Sequence, residues 1–597
     1  MTYPDIPLAQ TIVHLCKAKG IQHIVISPGS RNAPLTIGFT SDPYFSTYSI
    51  VDERSAAFFA MGMAMQQKQP VVVVCTSGSA LLNYYPAVSE AFYSDVPLVV
   101  ISADRPPYRI DIGDGQTIRQ DNIFERHILY TANLKQDLRE DHNPLHRDQD
   151  SIPPAMELAK NDATLQKGVQ QYNETEINNA LNTAIEDSGP VHLNAPFEEP
   201  LYNRTEAMSV SPKNIAISPV TQIISEEEIT TLQKLWNGAA RKIVMVGVLQ
   251  PNTLEQKLLD RLVTDDSVVL LTETTSNLHQ NRAFPFIDKL IAPLEKMEDA
   301  TLLWQKLQPE ILLTFGGMVV SKKVKAFLRK YQPKHHWHVD PKKAYDTYFC
   351  LERHIKTDIN TFLKRFVNGT IPVANGYFPY WEGIRKNRTL GHLEYMKQIP
   401  FCDFKVYEHV LKKIPDGTNL QLSNSSTIRY AQLFQLNSSL KVFCNRGTSG
   451  IDGSTSTAVG AAFHDENATV MVTGDLSFFY DSNALWNNYL RKDFRIIVIN
   501  NGGGGIFRIL PGDKNSEAFN TYFETTHELN ARGLCDTFGL RYIFAENEEE
   551  LIHALDSFYE DTESPGLLEV FTPRTVNDEV LLKYFRFLAE WNGGGSL

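Results

Sequence analysis

The chain has 597 residues, of which 42% are apolar and 21% are charged. This length exceeds what one hydrophobic core usually supports, so several domains are expected. The net charge of -13 argues against wholesale binding of nucleic acid, and no apolar run approaches the roughly 20 residues that span a bilayer. We therefore expect a globular protein with neither nucleic-acid nor membrane partners.

The N-terminus and the cysteines favour a cytoplasmic protein. The first residues, MTYPDIPLAQTIVHL, lack the basic start and the apolar core of a signal peptide. The six cysteines form no CxxC pair and no zinc-like spacing, so we interpret them as reduced core thiols.

Three blocks of sequence each alternate short apolar runs with amphipathic stretches, which is typical of parallel sheets flanked by helices. The first block contains HIVIS, VVVVC, PLVVIS and PVHLNAP. The second follows a linker-like stretch at 203–220 and contains KIVMVGV, SVVLLT, ILLTFG and HHWHVD; the third covers about 385–575. We predict an α/β protein of three doubly wound parallel-sheet domains, at 1–200, 201–380 and 381–597.

The segment 474–501 carries the most specific signal. Asp475 directly follows Gly474 at the end of one apolar strand, and Asn501 ends the next, RIIVINN. Because the carboxyl ends of neighbouring parallel strands share one edge of the sheet, both side chains can offer oxygen ligands to one hard cation. The glycines that follow let the backbone approach a phosphate, with the Gly503 carbonyl as a candidate third ligand. A helix-capping Asp beside a polyglycine turn is the alternative, which the combined spacing disfavours.

This spacing resembles the metal–diphosphate motif of thiamine diphosphate (ThDP) enzymes. The resemblance implies ThDP with Mg²⁺ or Mn²⁺, the metal being held by Asp475, Asn501 and Gly503. It also implies that Glu53, in YSIVDERSAAFF, hydrogen-bonds the cofactor pyrimidine, where apolar surroundings would raise its pKa. Alone, Glu53 would be a helix N-terminal charge favoured by the dipole. The other cofactor contacts that the resemblance assigns are Thr76, Ser77, Gly78, Ile451, Gly474, Leu476, Ser477, Gly504, Ile506 and Phe507.

Longer motifs resemble the SEPHCHC synthase family, SEPHCHC being 2-succinyl-5-enolpyruvyl-6-hydroxy-3-cyclohexene-1-carboxylate. These motifs are ISPGSRNAPL, ADRPPYRIDIGDGQTIRQ, SNSSTIR, NRGTSGIDG and NNGGGGIFRILP. The similarity spans all three blocks, so it covers nearly the whole chain. The resemblance implies decarboxylation of 2-oxoglutarate and 1,4-addition of the succinyl carbanion to isochorismate, in menaquinone biosynthesis. It also implies a homodimer or a homotetramer, in which the first block of one subunit and the third of its neighbour build the site.

The charges in these motifs suit the two substrates. Both substrates are dicarboxylates, and an anionic protein must hold them with local cations, for which Arg offers bidentate hydrogen bonds. By match to the family, Arg429 with Ser425 would bind the distal carboxylate of the succinyl group. Facing isochorismate would be Ser30, Arg31, Arg105 and Gln116, with Arg446 between the two substrates. Any one of these arginines, taken alone, could instead be a surface or loop-pinning residue.

Three features depart from the family pattern or lack a role. Gly502 stands where relatives tend to carry a third Asn, which predicts a looser turn. The basic residue that the family directs at isochorismate from the middle block is unplaced, with Lys289 as a candidate. The polar segment 137–166 is predicted to be a surface insertion.

Other interpretations stay open at this level. Another ThDP-dependent carboligase, such as acetohydroxyacid synthase, fits the cofactor motif, but pyruvate has one carboxylate and does not need four arginines. A catalytically silent ThDP-fold protein is disfavoured by the intact Glu53, Asp475 and Asn501. His336 and His338 alternate on one strand and could bind metal, although a pair without a third ligand is usually structural. The middle block has no GxGxxG, so no flavin is predicted.

Overall fold

The framework of the molecule is three six-stranded sheets. The computed structural model describes residues 2–138, 163–217, 224–510, 512–560 and 563–591. All strands within each of the three sheets run parallel, which confirms the predicted α/β class with three parallel-sheet domains. The boundaries near 200 and 380 stay a prediction, and most of the predicted insertion, residues 139–162, lies outside the described residues.

The first sheet has the order β3-β2-β4-β5-β7-β6, and a separate antiparallel pair joins β1 to β8. The strands are β1 (Tyr3–Pro4), β2 (His23–Ile26), β3 (Ser46–Ser49), β4 (Val71–Cys75), β5 (Leu98–Asp104), β6 (Tyr130–Asn133), β7 (Val191–Pro196) and β8 (Arg204–Thr205). The helices of this region are Pro7–Ala18, Ala33–Ser41, Glu53–Gln67, Ser79–Asn83, Tyr85–Ser94 and Ala163–Glu186. β4 and β5 are buried along their whole length, as expected for central parallel strands covered on both faces.

The compact unit around the first sheet also contains the later segments 447–466 and 480–491. Within it, the helix Ser454–His464 packs closely on the helix Glu53–Gln67. Gly62 and Gly460 allow this approach, because a Cβ at either position would overlap the backbone of the other helix. Small residues at the contact therefore hold the helix that begins at Glu53.

The second sheet has the order β11-β10-β9-β12-β13-β14 and belongs, with the third, to the other compact unit. Its strands are β9 (Lys242–Val246), β10 (Val268–Leu271), β11 (Ala283–Phe284), β12 (Ile311–Phe315), β13 (His335–Val339) and β14 (Arg353–Ile355). Its helices are Glu226–Gly238, Gln256–Val263, Ile287–Ile291, Thr301–Leu307, Lys322–Lys330 and Ile359–Phe366.

The third sheet has the order β16-β15-β17-β18-β20-β19. Its strands are β15 (Asn419–Leu422), β16 (Lys441–Phe443), β17 (Thr469–Gly474), β18 (Arg495–Asn500), β19 (Arg541–Ala545) and β20 (Gly566–Phe571). The helices are Tyr377–Met396, Asp403–Lys413, Ser426–Ala431, Asp475–Tyr480, Glu517–Phe519, Arg532–Phe538, Glu548–Phe558 and Asn577–Glu590.

Strand order reverses between β2 and β4 in the first sheet and between β15 and β17 in the third. Open parallel sheets bind ligands in the crevice at such switch points, outside the carboxyl ends of the strands. Several predicted site residues, among them Arg31, Thr76 and Asp475, follow these strands, so the topology places them where a ligand crevice is expected. Within the described ranges, no helix is both long and apolar enough to cross a membrane.

Candidate active site

The predicted metal ligands lie together at the carboxyl ends of β17 and β18. Asp475 is 3% exposed and begins the helix Asp475–Tyr480. Its Oδ2 accepts the backbone N–H of Gly503 at 2.9 Å, and its Oδ1 accepts that of Leu476 at 2.6 Å. The structure thus joins Asp475 to the glycine turn, as the spacing predicted.

Asn501 is oriented by a residue that the sequence did not single out. Its Nδ2 donates to Oδ2 of the buried Asp403 at 2.9 Å, which fixes the amide. The amide Oδ1 is then buried without a hydrogen-bond partner in the described part of the chain. A buried acceptor normally has a hydrogen-bond partner, so this oxygen is suited to be a ligand of a bound cation. Burial raises the pKa of Asp403 to about 6.

The glycine turn has a conformation that side chains would disturb. Gly503 has a φ of +151°, and a Cβ there would lie 2.7 Å from the carbonyl oxygen of Glu524. The N–H of Gly504 donates to that same carbonyl at 2.5 Å. Gly502 has a φ of +73°, a region that Asn also tolerates, so its departure from the family pattern requires no different backbone.

A histidine missed by the sequence analysis lies beside Asp475, one of the predicted metal ligands. His527 Nε2 is 3.3 Å from Asp475 Oδ2, and the Asp475 carboxylate raises the pKa of His527. A cavity of about 580 Å³ opens here, which is within the usual size range of ligand sites. Among its lining residues are Asn500, Asn501, Gly502, His527 and Arg574. No local motif marks His527, because it comes from a loop far along the chain.

The remaining predicted contacts of this half lie on the same two segments. Ser477 is buried and Leu476 partly buried in the short helix after β17. Ile506 is partly buried, whereas Phe507 is 37% exposed and meets Phe523 edge-on at a centroid distance of 6.3 Å. No group of three His, Cys, Asp or Glu side chains suited to a metal occurs in the described ranges, so the site would rely on amide and carbonyl oxygens as well.

Glu53, in the other compact unit, begins the helix Glu53–Gln67 behind the capping residue Asp52. Asn83 Nδ2 reaches its carboxylate at 3.5 Å. Burial raises the pKa of Cys75 well above its usual value, and the charge of Glu53 raises it further. The pKa of Tyr84 is also raised, mainly by burial, and Glu53 contributes to that increase. Glu53 therefore lies near the end of β4, on the ligand side of the switch point.

The loop after β4 contains Thr76, Ser77 and Gly78 and is fixed by another unpredicted residue. Gln120 Oε1 accepts the N–H of Gly78 at 2.8 Å. Gly78 has a φ of +87°, and a Cβ there would lie 3.3 Å from the carbonyl oxygen of Gln116. The structure thus brings the predicted Gln116 against this loop.

Two neighbouring motifs complete the region around the first sheet. Gly29 lies so close to Thr76 that a Cβ would overlap its side chain, which places the ISPGSR loop beside the loop after β4. Ser30 is exposed in that loop. Ile451 is partly exposed in the turn before the helix Ser454–His464.

The four predicted arginines form two pairs. In the compact unit around the first sheet, Arg31 is buried. The pKa of Arg105 is lowered mainly by its own burial and next by the charge of Arg31. In the second unit, burial and then the charge of Arg446 lower the pKa of Arg429. Each pair concentrates positive charge in one place, which is what a carboxylate ligand requires.

The second pair is held by the SNSSTIR segment. Arg429 donates to the carbonyl oxygen of Ser425 at 2.6 Å, and Ser425 has a φ of +68°. Arg446 donates to Asn424 Oδ1 at 2.7 Å. Asn424, which was not assigned a role from sequence, therefore orients one member of the pair.

Two lysines of the middle domain differ in their surroundings: the candidate Lys289 lies in the core, and Lys325 lies near the second arginine pair. Lys289 is 3% exposed with its ammonium 3.6 Å from the centre of the Phe286 ring, and burial lowers its pKa to about 7. This placement favours a packing role for Lys289. Burial lowers the pKa of Lys325, and the charges of Glu273 and Arg446 then act on it in opposite directions. Lys325 therefore lies near the second arginine pair.

His336 and His338 have a structural environment. His336 Nε2 and His338 Nδ1 lie 3.0 Å and 2.8 Å from the hydroxyl of Thr314 on the neighbouring strand. Burial lowers the pKa of both imidazoles to about 4. The pair thus shares a hydroxyl within the sheet, in keeping with the structural interpretation.

Three parallel-sheet domains, with Asp475, Asn501 and a glycine turn at the carboxyl ends of β17 and β18 in the last sheet, match the class of thiamine-diphosphate enzymes. Three protein-family models match the chain. The model described as "Thiamine pyrophosphate enzyme, N-terminal TPP binding domain" matches residues 6–126, and the corresponding C-terminal TPP binding domain matches 424–570. The model described as "Middle domain of thiamine pyrophosphate" matches 218–370.

Curated relatives narrow the class. The chain is 56% identical to a SEPHCHC synthase of Christiangramia forsetii and 50% identical to one of Flavobacterium johnsoniae, over 98% of this chain and 100% of each relative. A SEPHCHC synthase of Porphyromonas gingivalis is 36% identical over 98% of both chains. The chain belongs to the SEPHCHC synthase family.

Proposed function

We propose that this protein joins the succinyl unit of 2-oxoglutarate to isochorismate, with loss of CO2, to give SEPHCHC in menaquinone biosynthesis. Relatives that bear the synthase name match nearly the whole chain. The structural observation that carries the substrate assignment is the presence of two separate arginine pairs, Arg31 with Arg105 and Arg429 with Arg446. Two dicarboxylate substrates need two such places.

The cofactor assignment rests on the Asp475 region. Asp475, the Asn501 Oδ1, which has no partner among the described residues, and the carbonyl of Gly503 would hold Mg²⁺ or Mn²⁺ and, through it, the diphosphate. When bound, ThDP supplies the electron sink that allows a 2-oxo acid to lose CO2. Glu53 would exchange a proton with the pyrimidine ring, and Ile451 would support the bent form of the cofactor.

The substrate ends are assigned by charge and position. Arg429 with Ser425 would bind the distal carboxylate of 2-oxoglutarate, and Lys325 would add positive charge near Arg446. Arg31 and Arg105 would bind isochorismate with Ser30 and Gln116. A carboxylate held away from the reacting carbon lowers KM and orients the substrate without entering the chemistry.

The assembly and compartment are part of the same proposal. We expect a homodimer or a homotetramer in which two subunits complete each cofactor site. A reducing compartment such as the cytoplasm suits the six cysteines, none of which forms a disulfide and five of which are buried.

The test is CO2 release from 2-oxoglutarate by purified protein with ThDP and Mg²⁺, with and without isochorismate. Turnover that requires isochorismate, with the adduct detected by mass spectrometry, is the expected result. Release that ignores isochorismate would indicate another carboligase, such as acetohydroxyacid synthase. Bound ThDP without any release would favour a silent binding protein.

A further inference from the structure

The loop that follows β7 accepts hydrogen bonds from the guanidinium group of Arg31. One terminal nitrogen of the guanidinium donates to the carbonyl oxygen of Phe197 at 2.9 Å, and the other donates to Glu199 Oε1. The Arg31 side chain is 2% exposed, whereas that of Glu199 is 49% exposed. The arginine is therefore buried and fixed, while its acidic partner stays accessible from solvent.

The same carboxylate oxygen also serves Arg105, whose Nη1 lies 3.8 Å away. Burial and the charge of Arg31 both lower the pKa of Arg105, so the two guanidinium groups repel each other. Burial alone would raise the pKa of Glu199, but the hydrogen bond and charge of Arg31 outweigh it and lower that pKa. Glu199 is thus ionised and offsets the repulsion.

Both arginines keep unused donors. The Nε atoms of Arg31 and Arg105 are buried and have no hydrogen-bond partner in the part of the chain that the structure describes. Buried donors rarely lack a hydrogen-bond partner in a native protein with its ligand bound. A ligand carboxylate is the acceptor that a guanidinium edge binds best.

We infer that Glu199 is a positioning residue for isochorismate: it holds Arg31 and Arg105 close together, with donors left for a substrate carboxylate. This inference rests on the proposed function. It adds to the site an acidic residue that would itself repel an anionic substrate and that acts through the two arginines. Without Glu199, the buried Arg31 would lose its counter-charge, which is costly, and the pair would separate.

The test compares Glu199→Gln and Glu199→Asp with the wild type, and uses Glu206→Gln as a control for an exposed acid nearby in sequence. KM and kcat are measured for each substrate with ThDP and Mg²⁺, and isochorismate binding is measured by calorimetry without 2-oxoglutarate. We expect Glu199→Gln to raise KM and Kd for isochorismate about tenfold or more, with KM for 2-oxoglutarate within about twofold. Glu199→Asp should recover part of the loss, since it restores the charge.

Three results would overturn the inference: unchanged isochorismate affinity, tighter isochorismate binding in Glu199→Gln, or an equal rise in both KM values. Tighter binding would mean that Glu199 competes with the substrate for the arginines. Should Glu199→Gln fail to fold, the KM comparison in Glu199→Asp decides by the same criterion. A wild type without isochorismate-dependent turnover refutes the proposed function itself, whereas an active wild type with an unaffected variant refutes only the role of Glu199.

Discussion

At the scale of single residues, the site depends on polar groups whose partners are incomplete. Asn501 has one amide atom committed to Asp403 and the other without a partner in the described ranges. Arg31 shows the same division between fixed donors and an unused Nε. Such half-satisfied groups are costly in a folded protein unless a ligand completes them.

The role of Glu53 is tested by Glu53→Gln. We expect turnover to fall by about two to four orders of magnitude, because the amide cannot exchange the proton, while ThDP affinity changes little. Steady-state rates and ThDP titration by intrinsic fluorescence check this. Glu549→Gln is the control, since Glu549 is also a first-turn helix glutamate but is exposed, whereas Glu53 is partly buried. Equal activity of both variants would reduce Glu53 to a favourable charge at a helix N-terminus.

Arg429→Ala should mainly raise KM for 2-oxoglutarate. A charge-assisted hydrogen bond contributes about 1.5–3 kcal/mol, which corresponds to roughly a 10- to 100-fold change in KM. Initial rates at varied 2-oxoglutarate and saturating isochorismate measure the effect, with the exposed Arg586→Ala as control. A change confined to the isochorismate dependence would reverse the assignment of the two substrate ends.

At the scale of elements, turns and helix contacts that demand glycine support the predicted site residues in each compact unit. The turn after β18 and the pairing of the helices Glu53–Gln67 and Ser454–His464 each bring two backbones closer than a side chain allows. Glycine is suited to these positions because it lacks a Cβ and adopts positive φ at little cost.

Gly503→Ala should weaken ThDP binding in the presence of Mg²⁺ by about tenfold or more. The new Cβ is forced against the carbonyl of Glu524 and shifts the backbone that approaches the metal. Calorimetric titration of ThDP measures the change. Gly512→Ala has nearly the same φ, +146°, but open space around the Cβ, so it separates this contact from backbone strain. Equal affinity in both variants would argue against Gly503 as a ligand.

Gly62→Ala should destabilise the fold by about 1–3 kcal/mol through overpacking between the two helices. Gly383→Ala is the opposite case, because it lies in the helix Tyr377–Met396 with nothing within 4 Å of its Cβ. Alanine there should stabilise the protein by about 0.5–1 kcal/mol. Thermal unfolding of both variants checks the pair, and a stabilised Gly62→Ala would contradict the close packing.

At the scale of the whole molecule, buried charge makes stability depend on pH. Glu273 is 3% exposed and accepts the N–H groups of Val320 and Ser321 at 2.7 Å each. It thereby fixes the start of the helix Lys322–Lys330, which carries Lys325 toward Arg446. Burial raises the pKa of Glu273 to about 7.

Glu273→Gln should change the pH profile of unfolding. The folded pKa lies above the ordinary value of 4.5, so the contribution of the neutral carboxyl is full below about pH 4.5 and is lost as pH rises through 7. Between pH 5 and pH 8 the wild type should lose on the order of 3 kcal/mol relative to Glu273→Gln. Urea unfolding at both pH values measures this, with Glu549→Gln as control. Parallel profiles for wild type and Glu273→Gln would refute the shift.

Much of the fold was predictable because central parallel strands read as continuous apolar runs. VVVVC became β4 and the run KIVMV became β9, with all residues buried. The edge strands β6 and β14 gave no such signal, since each is only partly buried and its residues are mixed in polarity. Asp475 and Asn501 were predicted to lie together for a related reason, namely that each lies close after a strand that the sequence marks.

The sequence by itself determined the three-domain α/β class, the cofactor type and the family, because apolar periodicity and contiguous motifs are local properties. Only the tertiary structure decided which distant groups complete the site: Asp403 for Asn501, Gln120 for the loop after β4, and Glu199 for Arg31. It also placed Lys289 in the core. These contacts depend on strand order and on loop paths between segments far apart in the chain, which no local pattern encodes.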